Sequence, residues 1–173
     1  MNLPNKLTLL RIVLILPFLL VLYLDVPGAA YIALAIFILA SLTDLLDGKI
    51  ARKYNLITDF GKFADPLADK MLVMAAMVWF VENGQMPGWA LLIVILREFA
   101  VSGLRMVASD KGRVIAAGWS GKVKTASTMV CVALMFLPIP ELVNTLCVAV
   151  IVVMTIYSGV EYFVKNKDCL SDM

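Results

Sequence analysis

Four aspartates dominate the chemistry that this chain could perform. Asp44 and Asp47 are three residues apart, and Asp65 and Asp69 are four residues apart. Residues at these spacings share one face of an α-helix. A connection around residues 54–59 separates the pairs, so two helices that turn back on each other would bring both acidic faces together. Converging carboxylates repel one another, and the sequence therefore predicts positive charge between them.

A divalent cation is one source of that charge. The sequence contains no histidine, which excludes histidine-based acid–base chemistry and the usual zinc sites. Metal binding would rest on carboxylate oxygens, which suit hard cations such as magnesium. Magnesium also keeps coordination positions open for substrate phosphates. The acidic pairs therefore predict a metal site that holds a diphosphate and neutralises charge on its leaving group.

Other interpretations of the acidic residues stay open from charge alone. The aspartates could form a structural salt-bridge network with nearby lysines and arginines, or line an ion or proton path in a small transporter. The charges could also only fix the topology of a structural membrane subunit. Arg97 and Glu98 fall within an apolar run, where charge is functional by default, although the two could simply pair with each other.

Composition identifies the elements that must position these residues. The chain has 173 residues, is 62% hydrophobic and has a mean hydropathy of +0.92, well above a soluble domain. Its apolar runs are long enough to cross a bilayer as helices and lack the alternation of barrel strands. The three cysteines share no motif and predict no disulfide framework. The sequence predicts an all-α integral membrane protein in a single domain, residues 1–173.

Six transmembrane helices are predicted after a short interfacial N-terminal segment, residues 1–6. The spans are residues 7–24, 29–53, a third ending near 81, 88–108, 119–137 and 141–164. The third could start with Asp65 as its cap and Pro66 at its first position, or near Thr58 with Pro66 inside. A cleaved signal peptide is an alternative for the first span, because residues 26–30 could mimic a cleavage region.

Charge distribution predicts the orientation of these spans. Six spans place both termini on one side, and all 15 lysines and arginines fall on that side. The charged residues predicted on the opposite side are all acidic: Asp25, Glu82 and Glu141. The positive-inside rule makes the basic side cytoplasmic. The acidic pairs then lie at the cytoplasmic boundary of the cell (inner) membrane, at the level of the lipid head groups, and no charge crosses the midplane as a transporter would need.

A longer pattern around the aspartates resembles a known signature. It reads Asp44-x-x-Asp47-Gly48-x-x-Ala51-Arg52, then eight residues, then Gly61-x-x-x-Asp65-x-x-x-Asp69. This pattern resembles the signature of the CDP-alcohol phosphatidyltransferases at every fixed position. The resemblance implies six membrane helices, Mg²⁺ or Mn²⁺ as cofactor (two ions) and a homodimer. It also implies transfer of a phosphatidyl group from CDP-diacylglycerol to an alcohol, with release of CMP.

The resemblance also implies roles for individual residues. Asp44, Asp47 and Asp65 would ligate metal, and Asp69 would ligate it or stand beside it. Asp69 would act as the general base on the acceptor hydroxyl, which requires hydrogen-bond reach of that oxygen. The residues implied in binding CDP-diacylglycerol are Asn5, Thr8, Gly48, Ala51, Arg52 and Gly61. No Ser, Cys or His is poised as a nucleophile, which favours direct displacement over a phosphatidyl-enzyme.

Further segments resemble one branch of that family, the bacterial phosphatidylglycerophosphate synthases. They are the opening PNKLTLLRI, residues 97–105 and residues 121–125. The implied acceptor is glycerol 3-phosphate. Membrane lipids are the other expected partners, and no nucleic acid is expected to bind. Cardiolipin-, phosphatidylinositol-phosphate- and phosphatidylserine-type enzymes share the core motif and remain alternatives. The residues implied for the acceptor phosphate, in a pocket beside the metals, are Arg105, Arg113, Lys122 and Lys124.

Overall fold

The computed structural model describes residues 3–24, 26–53, 59–110, 115 and 118–169, with side chains for 9–24, 26–43, 70–109, 115 and 118–168. Within these ranges every regular element is helical. The elements are α1 (Leu3–Tyr23), α2 (Ala29–Lys53), α3 (Asp59–Glu82), α4 (Gly88–Asp110), α5 (Trp119–Met135), α6 (Glu141–Lys165) and a single 3-10 turn at Lys167–Cys169. The prediction of an all-α protein with six helices is confirmed for this part of the chain.

The observed helix bounds refine those predicted from the apolar runs. The α2 helix has the predicted bounds, whereas α1 begins at Leu3, so most of the predicted interfacial segment forms its first turn. Pro4 is tolerated there because the first turn leaves backbone N–H groups without intrahelical partners. The α3 helix begins at Asp59, which places Pro66 inside it. Of the two predicted starts, the one near residue 58 is confirmed and the one at Asp65 is wrong.

Apolar side chains cover much of the described outer surface. Phe99, Met106 and Trp119 are 72%, 74% and 79% exposed. A soluble monomer rarely exposes large contiguous apolar surface, whereas lipid tails solvate it without penalty. Among the described residues, α6 is the one helix that is both long and apolar enough to cross a bilayer. The apolar stretches at Leu9–Tyr23 and Ala29–Thr43 are shorter.

The chain forms two compact units, of which the first comprises Met1–Phe80 and Phe136–Pro138. In this unit α1 packs against α2. Phe136 lies among the rings of Phe18, Phe37 and Phe80, with centroid separations of 6.0, 6.2 and 4.8 Å. Aromatic pairs at such distances add about 0.5–1.5 kcal/mol each beyond their buried area. Since these three residues belong to α1, α2 and α3, the cluster packs the three helices of this unit around Phe136.

The second unit comprises Val81–Met135 and Ile139–Met173. Here α6 packs against both α4 and α5. A turn at Asn83 and Gly84 follows α3, and Gly84 has a φ of +70°, a conformation that favours glycine. Asn144 Nδ2 donates a hydrogen bond of 2.6 Å to the Gln85 carbonyl, which ties the start of α6 to this turn. These contacts hold α4, α5 and α6 together in the second unit.

Candidate functional site

The acidic motif occupies two helices of the first compact unit. Asp44 and Asp47 lie toward the end of α2, and Asp65 and Asp69 lie in the first half of α3. At a rise of about 1.5 Å per residue, the members of each pair are about 4.5 and 6 Å apart along the helix axis. Each pair therefore lies along one face of a continuous helix, as predicted. The side chains of all four aspartates lie outside the described residues, so their ligand roles stay predictions.

The residues predicted to bind CDP-diacylglycerol fall on these two helices and on α1. The α1 helix carries Asn5 and Thr8 in its opening turns, and α3 carries Gly61 in its first turn. The α2 helix carries the rest, which are Gly48, Ala51 and Arg52. Their side chains lie outside the described part of the chain, and these contacts stay predictions.

A buried ion cluster joins α4 to α5 in the second unit. One carboxylate oxygen of Glu98, Oε1, accepts hydrogen bonds from Arg97 Nη1 at 2.9 Å and from Lys124 Nζ at 2.7 Å. Glu98 is 8% exposed and Lys124 is 6% exposed. Buried charges are stable only when they are paired and hydrogen-bonded, and here one anion serves two cations. The carboxylate of Glu98 therefore links Arg97 of its own helix to Lys124 of α5 inside the unit.

Glycines of α5 and α6 allow these two helices to approach Arg97 of α4 closely. A Cβ atom added to Gly159 of α6 would lie 3.2 Å from Arg97 Cγ, and one added to Gly121 of α5 would lie 3.7 Å from Arg97 Nη2. Arg97 Nε is buried and has no hydrogen-bond partner among the described residues. The absence of side chains thus makes room for the aliphatic stem of Arg97 at Gly159 and for its guanidinium group at Gly121.

A second cation of α4 is held in a different way. Arg105 is exposed, and its Nε donates a hydrogen bond of 3.0 Å to the hydroxyl of Tyr162 on α6. Its guanidinium carbon lies 5.5 Å from the centroid of the Tyr162 ring, within the range of a cation–π contact. Tyr162 itself is only 7% exposed. Arg105 is therefore anchored by a neutral partner, the hydroxyl and ring of Tyr162.

The four residues predicted to hold the acceptor phosphate have different surroundings. Arg105 and Lys122 are exposed, whereas Lys124 is buried against Glu98. Arg113 lies outside the described residues. Since Lys124 already donates to a carboxylate, Arg105 and Lys122 are the candidates in the described part whose cationic groups reach the surface.

Two partners were not found by sequence reasoning. The pairing of Arg97 with Glu98, one of two alternatives that the sequence left open, is observed, but nothing in the sequence indicated that Glu98 would also bind Lys124, 26 residues further on. A glutamate inside an apolar run is the one signal that pointed to a buried partner. Tyr162 gave no such signal, because an aromatic residue near the end of a membrane helix is ordinary.

The sequence of the chain is similar to those of known proteins over nearly its whole length. A family model described as CDP-alcohol phosphatidyltransferase matches residues 1–157. The chain is 44% identical to the CDP-diacylglycerol–glycerol-3-phosphate 3-phosphatidyltransferase of Bacillus subtilis (strain 168), covering 98% of this chain and 97% of that protein. It is 40% identical to the protein of that name from Shigella flexneri serotype 5b, with 99% and 98% covered. For the Rickettsia bellii protein of that name, the identity is 36%, with 96% of each chain covered. The chain belongs to the CDP-alcohol phosphatidyltransferase family.

Proposed function

We propose that this protein transfers the phosphatidyl group of CDP-diacylglycerol to sn-glycerol 3-phosphate, giving phosphatidylglycerol phosphate and CMP. The observation that carries this proposal is the near end-to-end similarity, at 36–44% identity, to three proteins named for that reaction. The complete signature on two helices supplies the matching chemistry. The protein is thus a transferase of phospholipid biosynthesis.

We propose that the enzyme lies in the cell (inner) membrane as a single domain, residues 1–173. It would cross the membrane six times, with both termini cytoplasmic. The six helices run from 17 to 25 residues, or about 25–37 Å at the α-helical rise, which suits a hydrocarbon core of about 30 Å. The basic residues on one side support a cytoplasmic active site. A homodimer is proposed from the family resemblance alone.

A divalent metal is proposed as the cofactor, since members of this family generally depend on one. The donor set of the acidic motif fits such an ion, because four carboxylates on two helices offer hard oxygen ligands and the chain has no histidine. Asp44, Asp47, Asp65 and Asp69 would hold one or two ions of Mg²⁺ or Mn²⁺. When bound, the metal supplies Lewis-acid neutralisation of charge on the diphosphate and on departing CMP.

The residues of the chain would orient the substrates and move one proton. Asp69 accepts the proton of the primary hydroxyl of glycerol 3-phosphate, and that oxygen attacks the phosphorus bearing diacylglycerol. The bond from this phosphorus to the bridging oxygen breaks, and CMP leaves with the electron pair. Arg52 would hold the nucleotide phosphates, while Gly48 and Gly61 leave room for the nucleotide. This direct displacement needs no covalent enzyme intermediate.

Measuring CMP release from CDP-diacylglycerol with different acceptors tests the proposed reaction. The purified protein with Mg²⁺ should release CMP with glycerol 3-phosphate. It should release little with serine or phosphatidylglycerol, which carry no phosphate monoester, and little with inositol phosphate, a bulkier ring that has only secondary hydroxyls. CMP release at one rate whatever acceptor is offered, or a faster rate with another of these acceptors, would contradict the assignment of the acceptor.

A further inference from the structure

The last helix contributes a buried tyrosine whose hydroxyl serves a cation of another helix. Tyr162 packs in the core cluster formed with Val101, Leu104 and Ala108 of α4. By contrast, Tyr157 on the same helix is 59% exposed. A buried tyrosine hydroxyl usually finds a hydrogen-bond partner. Here the partner is the Arg105 Nε–H at 3.0 Å, so the core of the second unit determines where this guanidinium lies.

The same contact leaves the binding capacity of Arg105 intact. A guanidinium group has five N–H donors, and the bond to Tyr162 uses the one on Nε. The four donors on the two terminal nitrogens have no carboxylate partner among the described residues. Arg97 is different, because its Nη1 donates to Glu98. Within the described ranges, Arg105 is thus the one of these two α4 arginines whose terminal nitrogens meet no carboxylate, while its Nε is held by Tyr162.

We propose that Tyr162 is a positioning residue that orients Arg105 to bind the phosphate of the acceptor. This inference rests on the proposed function, in which Arg105 binds the phosphate of glycerol 3-phosphate. A planar guanidinium binds a phosphate through two parallel hydrogen bonds, and this geometry requires a defined orientation. The Tyr162 hydroxyl and ring hold the guanidinium of Arg105 before the phosphate binds. Binding then has less rotamer freedom of Arg105 to restrict. Tyr162 therefore acts on acceptor affinity through Arg105 and touches no substrate.

The variant Tyr162→Phe separates the hydroxyl from the packing of the ring. It keeps the apolar contacts with the core cluster and the ring face beside Arg105, and it removes only the hydrogen-bond acceptor. We expect the KM for glycerol 3-phosphate to rise about tenfold, as befits loss of a hydrogen bond to a charged group. The KM for CDP-diacylglycerol, kcat and the melting temperature should stay near the wild-type values. Tyr157→Phe, on the same helix but exposed, should change none of these quantities.

A double variant tests whether the effect passes through Arg105. Arg105→Ala alone should raise the KM for glycerol 3-phosphate further, and adding Tyr162→Phe to it should then change nothing, because the two side chains act as one unit. An unchanged acceptor KM in Tyr162→Phe, equal rises in both KM values, or additive effects in the double variant would each overturn the inference. Wild-type protein that ignores glycerol 3-phosphate would instead contradict the proposed function, and the inference with it.

Discussion

Replacing Asp69 with asparagine should nearly abolish turnover while largely sparing the binding of CDP-diacylglycerol. An asparagine has nearly the same shape as aspartate but cannot accept the proton of the acceptor hydroxyl. Loss of a positioned general base lowers a rate by about 10²–10⁴-fold. The measurement is kcat for CMP release with saturating glycerol 3-phosphate, together with the dissociation constant of CDP-diacylglycerol for the same variant.

The matched control is an aspartate outside the acidic motif. Asp168 lies in the exposed 3-10 turn after α6, beyond the residues that the family model matches. Asp168→Asn should therefore retain wild-type turnover. If Asp69→Asn released CMP at close to the wild-type rate, the assignment of Asp69 as the general base would be wrong.

Replacing Glu98 with glutamine should cause a large loss of stability in the second unit. The change removes the anion that pairs with both Arg97 and Lys124 and leaves two cations without their buried carboxylate. Breaking a buried ion pair by removing one partner costs about 3–5 kcal/mol. We expect a clearly lower melting temperature for detergent-solubilised Glu98→Gln than for the wild-type protein.

Two further variants show whether charge pairing causes this loss. Glu161→Gln breaks an ion pair with Lys165, whose side chain is 67% exposed, and should change the melting temperature little because surface pairs contribute little. Adding Lys124→Met to Glu98→Gln removes one of the two cations that Glu98 binds and should restore part of the lost stability. A Glu98→Gln protein as stable as the wild type would show that the buried cluster does not hold α4 and α5 together.

The helix bounds could be read from the sequence where apolar runs end at turn residues. Ala29 follows Pro27 and Gly28, and Glu141 follows Pro140, so α2 and α6 begin where predicted. The start of α3 could not be decided in this way, because local rules allow Pro66 both at the first position of a helix and inside one. The observed helix from Asp59 resolves that ambiguity.

The candidate site was predictable only in its local part. The acidic pairs depend on spacing within one helix, and both the sequence and the observed helices give that spacing directly. The bond from Lys124 to Glu98 and the bond from Arg105 to Tyr162 join residues 26 and 57 positions apart. Such contacts depend on which faces of α4, α5 and α6 pack together, and hydrophobic periodicity does not specify that when most of each helix is apolar.

Binding of Mn²⁺ to the purified protein is the most direct test of the proposal that the acidic helix faces hold divalent ions. Electron paramagnetic resonance can count bound ions in the presence of CDP-diacylglycerol, for the wild type and for Asp44→Asn/Asp65→Asn. We predict about two ions per wild-type chain, as in two-metal phosphoryl-transfer sites, and loss of binding together with CMP release in the variant. Equal Mn²⁺ binding and equal CMP release by the two proteins would contradict the proposed metal site.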